Sequence, residues 1–539
     1  MDGDRQGSDP DTAEAAGDRG GDAADPDSAP AGRRRLVVAA LMLAMALAAM
    51  DSSVVSTAVP QIVGDLGGFS YFSWMFSGYL LTVTVTIPVY GKLADSLGRK
   101  PVLLVGCAIF LFGSLLCATA WNMPSLIAFR LLQGLGGGAI QGTVQTIAAD
   151  LYPLKQRGRI QAAMSTVWAV SAVAGPTIGG LLAGYADWRW IFLVNLPIGL
   201  VALFLLLRHL HEEVRTRSAR VDWAGALGLF CSTGLLLFAL VQGGVAWAWT
   251  SPQSLVLFAT SALGVVVTVW IERRAAEPII PGWVWRRRVI AGVNLALGFL
   301  GVLMIAPVVF LPMYAQSVLG LAPVAAGFVL SVMTISWPIS AALSGRVYLR
   351  IGFRDTAVIG AACATVVLAG FTLLPFGGAA WQPALVMLLL GAVLGLFQLP
   401  LIVGVQSSVP WHERGTATAS ILFCRQVGQS VGAVLFAVVA NSTLASRLRD
   451  APAAIRGGLP GSLDQVSNAL LDHAGGRHSG GSQGGAGHGG LGSAATDYLR
   501  HAVAAAVDHV YLGAAGAAAL ATVVLLVVAP RRFPITEAK

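Results

Sequence analysis

The chain has 539 residues, 55% of them hydrophobic and only 12% charged, with a net charge of +8. That balance excludes a soluble globule, in which roughly 25% of residues are charged. The excess positive charge sits in short gaps between apolar runs, which marks membrane topology rather than a nucleic-acid partner.

Residues 1–35 are rich in Asp, Gly and Ala and read as a disordered cytoplasmic tail, with no signal peptide ahead of the first apolar run. Fourteen apolar segments follow, near 36–58, 72–91, 101–120, 124–148, 160–184, 190–208, 222–243, 254–271, 289–315, 322–344, 355–376, 384–407, 415–441 and 507–529. About 20 residues cover the hydrocarbon core, so each is long enough to span. Arg33, Arg34 and Arg35 stand before the first segment. The even-numbered gaps then hold nineteen lysines and arginines, whereas the short odd-numbered gaps hold Arg189 alone. Bases in short loops stay inside. Both termini are therefore expected in the cytoplasm, which requires an even number of spans.

The stretch Gly91–Leu104, GKLADSLGRKPVLL, occupies the second gap. Gly91 and Gly98 frame a tight hairpin between two spans, and Asp95 lies among Lys92, Arg99 and Lys100. Glycine is needed where backbones approach closely. A decayed copy follows the tenth span: Gly345 and Gly352 keep the spacing, but Leu349 stands where an acid would align with Asp95. Such parallel repeats are common in transporters. Asp51 interrupts the first span and Arg130 the fourth. Both are costly in a membrane and mark function, with Asp51 the leading partner of Arg130. Gln133 shares the Arg130 face, about one turn away.

The glycine-framed hairpin resembles the G-x-L-a-D-r-x-G-r-k signature of the major facilitator superfamily. The stretch MDSSVVSTAVPQI resembles the L-D-x-T-I-V-N-V-A-L-P signature of its fourteen-helix drug:proton antiporter branch, with Asp51 and Pro60 in place and Ser56 where the family has Asn. Arg130, Gln133, Gly134 and Gly136 resemble the superfamily's R-x-x-Q-G-x-G motif. Gly175, Pro176, Gly179 and Gly180 resemble the antiporter motif G-P-x-x-G-G. Trp188, Arg189, Trp190, Phe192, Asn195, Pro197 and Gly199 resemble another motif of that branch, read as architectural. Ser73, Trp74, Tyr79 and the stretch Arg425–Gly428 also fit it.

The resemblance implies an all-α membrane protein of 14 transmembrane helices, two six-helix bundles with two inserted central helices. Residues 36–208 form the N-terminal half, 209–288 the inserted pair with its flanking loops, and 289–530 the C-terminal half. A long outer loop is expected at 442–500 and a cytoplasmic tail at 531–539. The resemblance further implies a monomeric antiporter of the plasma membrane that exports lipophilic drugs or antibiotics against protons. The alternative is an exporter of one endogenous metabolite, lipid or basic amino acid. Its partners are the lipophilic substrate, protons and membrane lipid, with no cofactor and no nucleic acid.

Asp51 and Arg130 are expected to couple protons, with Asp508 next in line. Gly91, Asp95, Gly98, Arg99 and Asp150 are expected to form a gate in which Arg99 bridges the two acids. Trp74, Tyr79, Gln133, Trp168, Asn294, Tyr314, Gln316, Trp337 and Gln398 are the expected substrate contacts. With Asp51 occupied by the proton, no midplane acid remains for a dication, so monovalent cations or neutral amphiphiles are expected. The chain has no G-x-x-x-x-G-K-[ST] and no H-E-x-x-H, so neither ATP-driven transport nor metallohydrolysis is expected. The five cysteines fall inside apolar runs as small hydrophobes. His473, His478 and His488 belong to a flexible Gly-rich loop, and Asn468–Leu471 to a short amphipathic piece within it.

Overall fold

The structure is a computed structural model that describes residues 31–67, 72–212, 222–243, 247–452 and 493–535. The outer-loop histidines, the amphipathic piece at 468–471 and the tail before residue 31 lie outside the described residues. The described chain is a bundle of long helices. In order these are α1 (Ala31–Val54), α2 (Val59–Leu66), α3 (Phe72–Leu97), α4 (Arg99–Ala118), α5 (Met123–Asp150) and α6 (Leu154–Tyr185). Next come α7 (Trp190–Leu193), α8 (Asn195–His209), α9 (Trp223–Gln242), α10 (Pro252–Arg274), α11 (Trp283–Arg286) and α12 (Arg288–Ile305). The last are α13 (Leu311–Ser317), α14 (Pro323–Ile351), α15 (Phe353–Gly370), α16 (Trp381–Ser407), α17 (Arg414–Arg449) and α18 (Ser493–Val527). Among the described residues, ten helical segments are long and apolar enough to cross a membrane. Helices α1, α3, α4, α5 and α8 supply the charged and polar residues of the site.

Breaks in the helices follow the sequence. A 3-10 turn at Val55–Ala58 joins α1 to α2, so the first helical rod reaches Leu66 rather than residue 58. A π turn at Ala306–Phe310, which contains Pro307, joins α12 to α13. There the ring has no N–H to give and widens the ladder. Gly98 alone separates α3 from α4 at φ +95°, and Gly352 alone separates α14 from α15 at φ +96°. An L side chain costs about 1–2 kcal/mol in that region. Both copies of the repeat therefore turn on the same glycine.

The expected loop at 442–500 is shorter than its polarity suggests. Helix α17 continues to Arg449 and α18 begins at Ser493. At 1.5 Å per residue each exceeds about 50 Å, well beyond a ~30 Å hydrocarbon core. Their far ends stay helical because they pack on each other. Leu444 and Leu499 are buried, and the Tyr498 hydroxyl donates to Arg447 O at 2.5 Å.

Buried apolar side chains gather in separate clusters. The largest draws on residues from Val284 to Phe533, with Ala162 added from α6. Two others draw on residues from Val37 to Leu210 and from Val54 to Phe192. Ala419 and Leu422 of α17 join the first of these two. Helix α9 packs against α10, α3 and α17. The early helices meet the late ones mainly through α3 with α17 and α6 with α14, with smaller contacts of α5 with α17 and α6 with α16.

Candidate functional site

Asp51 lies near the end of α1 and is only 2% exposed. Arg130 of α5 reaches it through Nη1, which donates to Asp51 Oδ2 and also to Gln133 Oε1 at 2.8 Å. Gln133 Nε2 donates to Asp51 Oδ1 at 2.9 Å. Asn195 Nδ2, at the start of α8, approaches the same oxygen at 3.3 Å and donates to Ser114 Oγ at 3.0 Å. The Tyr79 ring of α3 lies beneath the guanidinium, 4.3 Å from ring centroid to Cζ. Arg130 Nε donates to Met75 O at 3.3 Å. Five helices thus close on one carboxylate, and three donors face it. A buried carboxylate survives only with such pairing, because desolvation penalises each charge heavily.

Glycines bring these backbones together. A Cβ on Gly134 would lie 1.9 Å from Thr82 Oγ1. Gly175 of α6 seats α1 just past Asp51, since a Cβ there would lie 2.0 Å from Ser53 Oγ. Ser53 in turn donates to Ser171 O at 3.0 Å. Gly179 is buried in the same helix, while the side-chain positions of Pro176 and Gly180 lie outside those described, as do those of Ser56 and Pro60.

A second polar centre lies at the base-rich end. Asp95 ends α3 and caps the start of α17. Its Oδ1 accepts from Gly415 N at 2.8 Å, and its Oδ2 from Thr416 N at 2.6 Å and Thr416 Oγ1 at 2.8 Å. Helix N-termini offer such free N–H groups and a favourable dipole to anions. Arg99 forms an ion pair with Asp150 and stands 4.0 Å from Asp95. Its Nη2 donates to Trp411 O at 2.7 Å, and its guanidinium covers the Trp411 ring. Arg414 Nη1 donates to Asp150 Oδ1 at 3.0 Å. Glu212 caps α4, accepting from Arg99 N at 2.9 Å and Lys100 N at 2.6 Å. Gly91 permits the close approach, since a Cβ there would come within 2.3 Å of Ala419 Cβ. The decayed copy packs the same way: Gly345 lies against Gly158 of α6, but it has no acid, and Leu349 is 50% exposed.

At the opposite end, Asp65 accepts from Trp188 Nε1 at 3.1 Å and Arg189 Nη1 at 2.9 Å.

The structure brings Asp51, Arg130, Gln133 and Tyr79 into one cluster, and Asp95, Arg99 and Asp150 into another. The remaining expected substrate contacts are dispersed. Trp74 packs on Phe238, with ring centroids 5.1 Å apart. Asn294 is fully buried and accepts from Ser420 Oγ at 3.2 Å. Trp168 and Trp337 are half-buried against apolar clusters. Tyr314 lines a cavity of about 270 Å³ with Asp508, Gln316 is half-buried nearby in α13, and Gln398 is buried with Oε1 unpartnered. Sequence reasoning took Asn195 as architectural and missed Glu212, Trp411 and Thr416. An amide inside an apolar run was the available signal for Asn195. Nothing local distinguished the other three.

Membrane-length helices around a buried, fully paired carboxylate, with an ion-paired seam at one end, define a polytopic membrane transporter. The profile of the Major Facilitator Superfamily matches residues 41–433, and the chain belongs to that family. It is 34% identical to the multidrug transporter protein MdtP of Bacillus subtilis over 78% of this chain and 77% of that one. It is equally 34% identical to multidrug resistance protein 3 of the same organism, over 78% of this chain and 83% of the relative. The fold matches the solved structure of the proton:xylose symporter XylE bound to 6-bromo-6-deoxy-D-glucose, with TM-score 0.56 and 14% identity. That match covers 94% of this chain and 98% of the other. The chain is a multi-pass membrane transporter rather than an enzyme.

Proposed function

We propose that this chain is a proton-coupled antiporter that exports lipophilic compounds across the plasma membrane by alternating access. The observation that carries the reading is the Asp51–Arg130 pair, fully buried and bonded to Gln133 and Asn195. Protonation of Asp51 removes the charge that holds Arg130 and loosens the cluster that joins α1, α5 and α8. A proton arriving there and a substrate binding nearby then favour different arrangements, which is the requirement for exchange. The multidrug names of the bacterial relatives support drug-like cargo.

In this reading the chain has fourteen spans. The first is α1–α2, the sixth α7–α8 and the ninth α12–α13. The spans group into two six-helix halves, with α9 and α10 inserted between them. The base-rich end faces the cytoplasm, as do both termini. Asp95, Arg99, Asp150 and Arg414 close the cytoplasmic gate, and Gly91 and Gly98 let it close. Gly175, Pro176, Gly179 and Gly180 let α6 bend against α1 as the halves rock. Trp168, Gln316, Trp337 and Gln398 keep their place along the substrate path.

The test uses proteoliposomes with an imposed pH gradient and ethidium or norfloxacin as cargo. Wild type is expected to move them uphill. Asp51→Asn is expected to abolish uphill movement while retaining exchange down a gradient. Uphill transport by Asp51→Asn would overturn the assignment.

A further inference from the structure

We propose that the cavity between α3, α17 and the inserted helix α9 is a cargo site, and that Gln426 and Gln429 make it selective for an uncharged amphiphile with an amide or carbonyl head. The inference rests on the exporter reading above and names its substrate class.

The cavity measures about 430 Å³, a volume that suits a small drug-like molecule. Helix α3 supplies Ser77 and Thr84, α17 supplies Gln426 and Gln429, and α9 supplies Leu237 and Leu240. Trp249 lines it as well, folded over the end of α9. A Cβ on Gly243 would lie 2.4 Å from the Trp249 ring, and that ring stacks on Phe258 of α10. Cargo held there touches an early helix, a late helix and the inserted pair at once. Its affinity therefore changes when these parts move against one another, as alternating access requires.

The chemistry of the walls selects the head. Among the described residues no charged one lines the cavity. A localised ammonium or carboxylate would lie there without a counter-charge, which is costly at membrane depth. Two amides do line it. Gln426 and Gln429 lie about 18 and 22 Å along α17 from Arg414, past the middle of a ~30 Å core. Three residues apart, they share one face. Among the described residues neither side chain makes a hydrogen bond. Each amide has an acceptor oxygen and two N–H donors to offer. The hydroxyls beside them already have acceptors: Thr84 Oγ1 donates to Leu80 O at 2.7 Å, and Ser430 Oγ to Gln426 O at 3.3 Å. An amide or carbonyl head pairs with the glutamines and leaves its apolar body against the leucines.

Helix α3 joins this site to the buried acid. Ser77, Leu80, Leu81 and Thr84 form the stripe that lines the cavity. Tyr79, Thr82 and Thr86 form the opposite stripe. That stripe packs on α5, where a Cβ on Gly138 would lie 2.1 Å from Thr86 Oγ1, and it carries the Tyr79 ring under Arg130. A cargo that shifts α3 thus acts on the Arg130–Asp51 pair from the far side of the helix.

The full chain in proteoliposomes can be titrated with 6-(dansylamino)hexanamide, the matched hexanoic acid and the matched hexylamine, read by dansyl fluorescence. Wild type is expected to bind the amide at least tenfold more tightly than either charged probe. Gln426→Leu and Gln429→Leu are each expected to loosen the amide by about 2- to 12-fold. Leu237→Trp, which fills the cavity from α9, is expected to loosen it at least tenfold, whereas Leu227→Trp on the exposed face of the same helix leaves it unchanged. Should the glutamine variants fail to insert, Ser77→Asp gives an independent gain: an acid in the wall is expected to tighten the amine at least tenfold. Equal binding of the three probes by wild type would overturn the proposal. So would amide binding unchanged in both glutamine variants or in Leu237→Trp, or amine binding unchanged in Ser77→Asp. Uphill ethidium efflux from the wild-type vesicles reports separately on the exporter reading. No amide preference with efflux intact refutes this inference alone, and absent efflux with the preference intact refutes the exporter reading alone.

Discussion

Asp95→Asn isolates the gate. In the closed arrangement the Asp95 carboxylate accepts three hydrogen bonds, from Gly415 N at 2.8 Å, Thr416 N at 2.6 Å and Thr416 Oγ1 at 2.8 Å. Asparagine keeps one acceptor oxygen and turns an NH₂ toward one of these donors. At least one charge-assisted bond is lost, each worth about 1.5–3 kcal/mol, and one buried N–H loses its acceptor. Arg99 stays paired with Asp150, which retains part of the seam. A net cost of about 2–4 kcal/mol to the closed state is expected, roughly 30- to 1,000-fold in the closed-to-open ratio. The contact exists only when α3 and α17 meet, so the equilibrium shifts toward opening at that end. Thr418, 1% exposed in α17, reports this as a single cysteine, with Cys107, Cys117, Cys231, Cys363 and Cys424 all replaced. An impermeant maleimide added at the base-rich side is expected to label it at least tenfold faster in Asp95→Asn. Equal labelling rates would refute the gate and leave a static structural bridge.

Three further outcomes follow from local geometry. Gly91→Ala would place a methyl 2.3 Å from Ala419 Cβ and is expected to hold the gate open and cut transport, whereas Gly345→Ala meets only Tyr348 OH at 3.8 Å and is expected to transport normally in the same assay. Asn195→Ala removes a donor from Asp51 and the bond to Ser114, and is expected to lower uphill efflux several-fold at unchanged protein level in membranes. Ethidium is expected to be exported and its dicationic relative propidium poorly, because Asp51 is already paired with Arg130 and leaves no free acid for a second positive centre; resistance or efflux assays in expressing cells compare the two dyes.

Much of the architecture was legible because lipid imposes a coarse rule. Long apolar runs become helices, and bases mark the gaps between them. The hairpin glycines were legible for the same kind of reason, since a one-residue turn leaves no alternative to a positive φ at Gly98 and Gly352. Helix ends beyond the apolar runs were not legible. Helices α17 and α18 continue where hydropathy falls, because a buried stripe with Leu444 and Leu499 needs only one face. The pairings were the least legible. Asn195 meets Asp51 across 144 residues, and Thr416 meets Asp95 across 321, distances that no local pattern encodes. Aromatic residues were ambiguous for a physical reason. Tyr79 serves Arg130 and Trp74 serves Phe238, and burial alone makes such rings look like cavity lining.

The central claim is that export is coupled to protons through Asp51. The direct measurement is proton movement driven by substrate alone, in proteoliposomes with a pH-sensitive dye inside and no imposed pH gradient. A norfloxacin gradient is expected to drive a counterflow of protons in wild type that disappears in Asp51→Asn. Substrate movement without any proton flux in wild type, or undiminished flux in Asp51→Asn, would contradict the account.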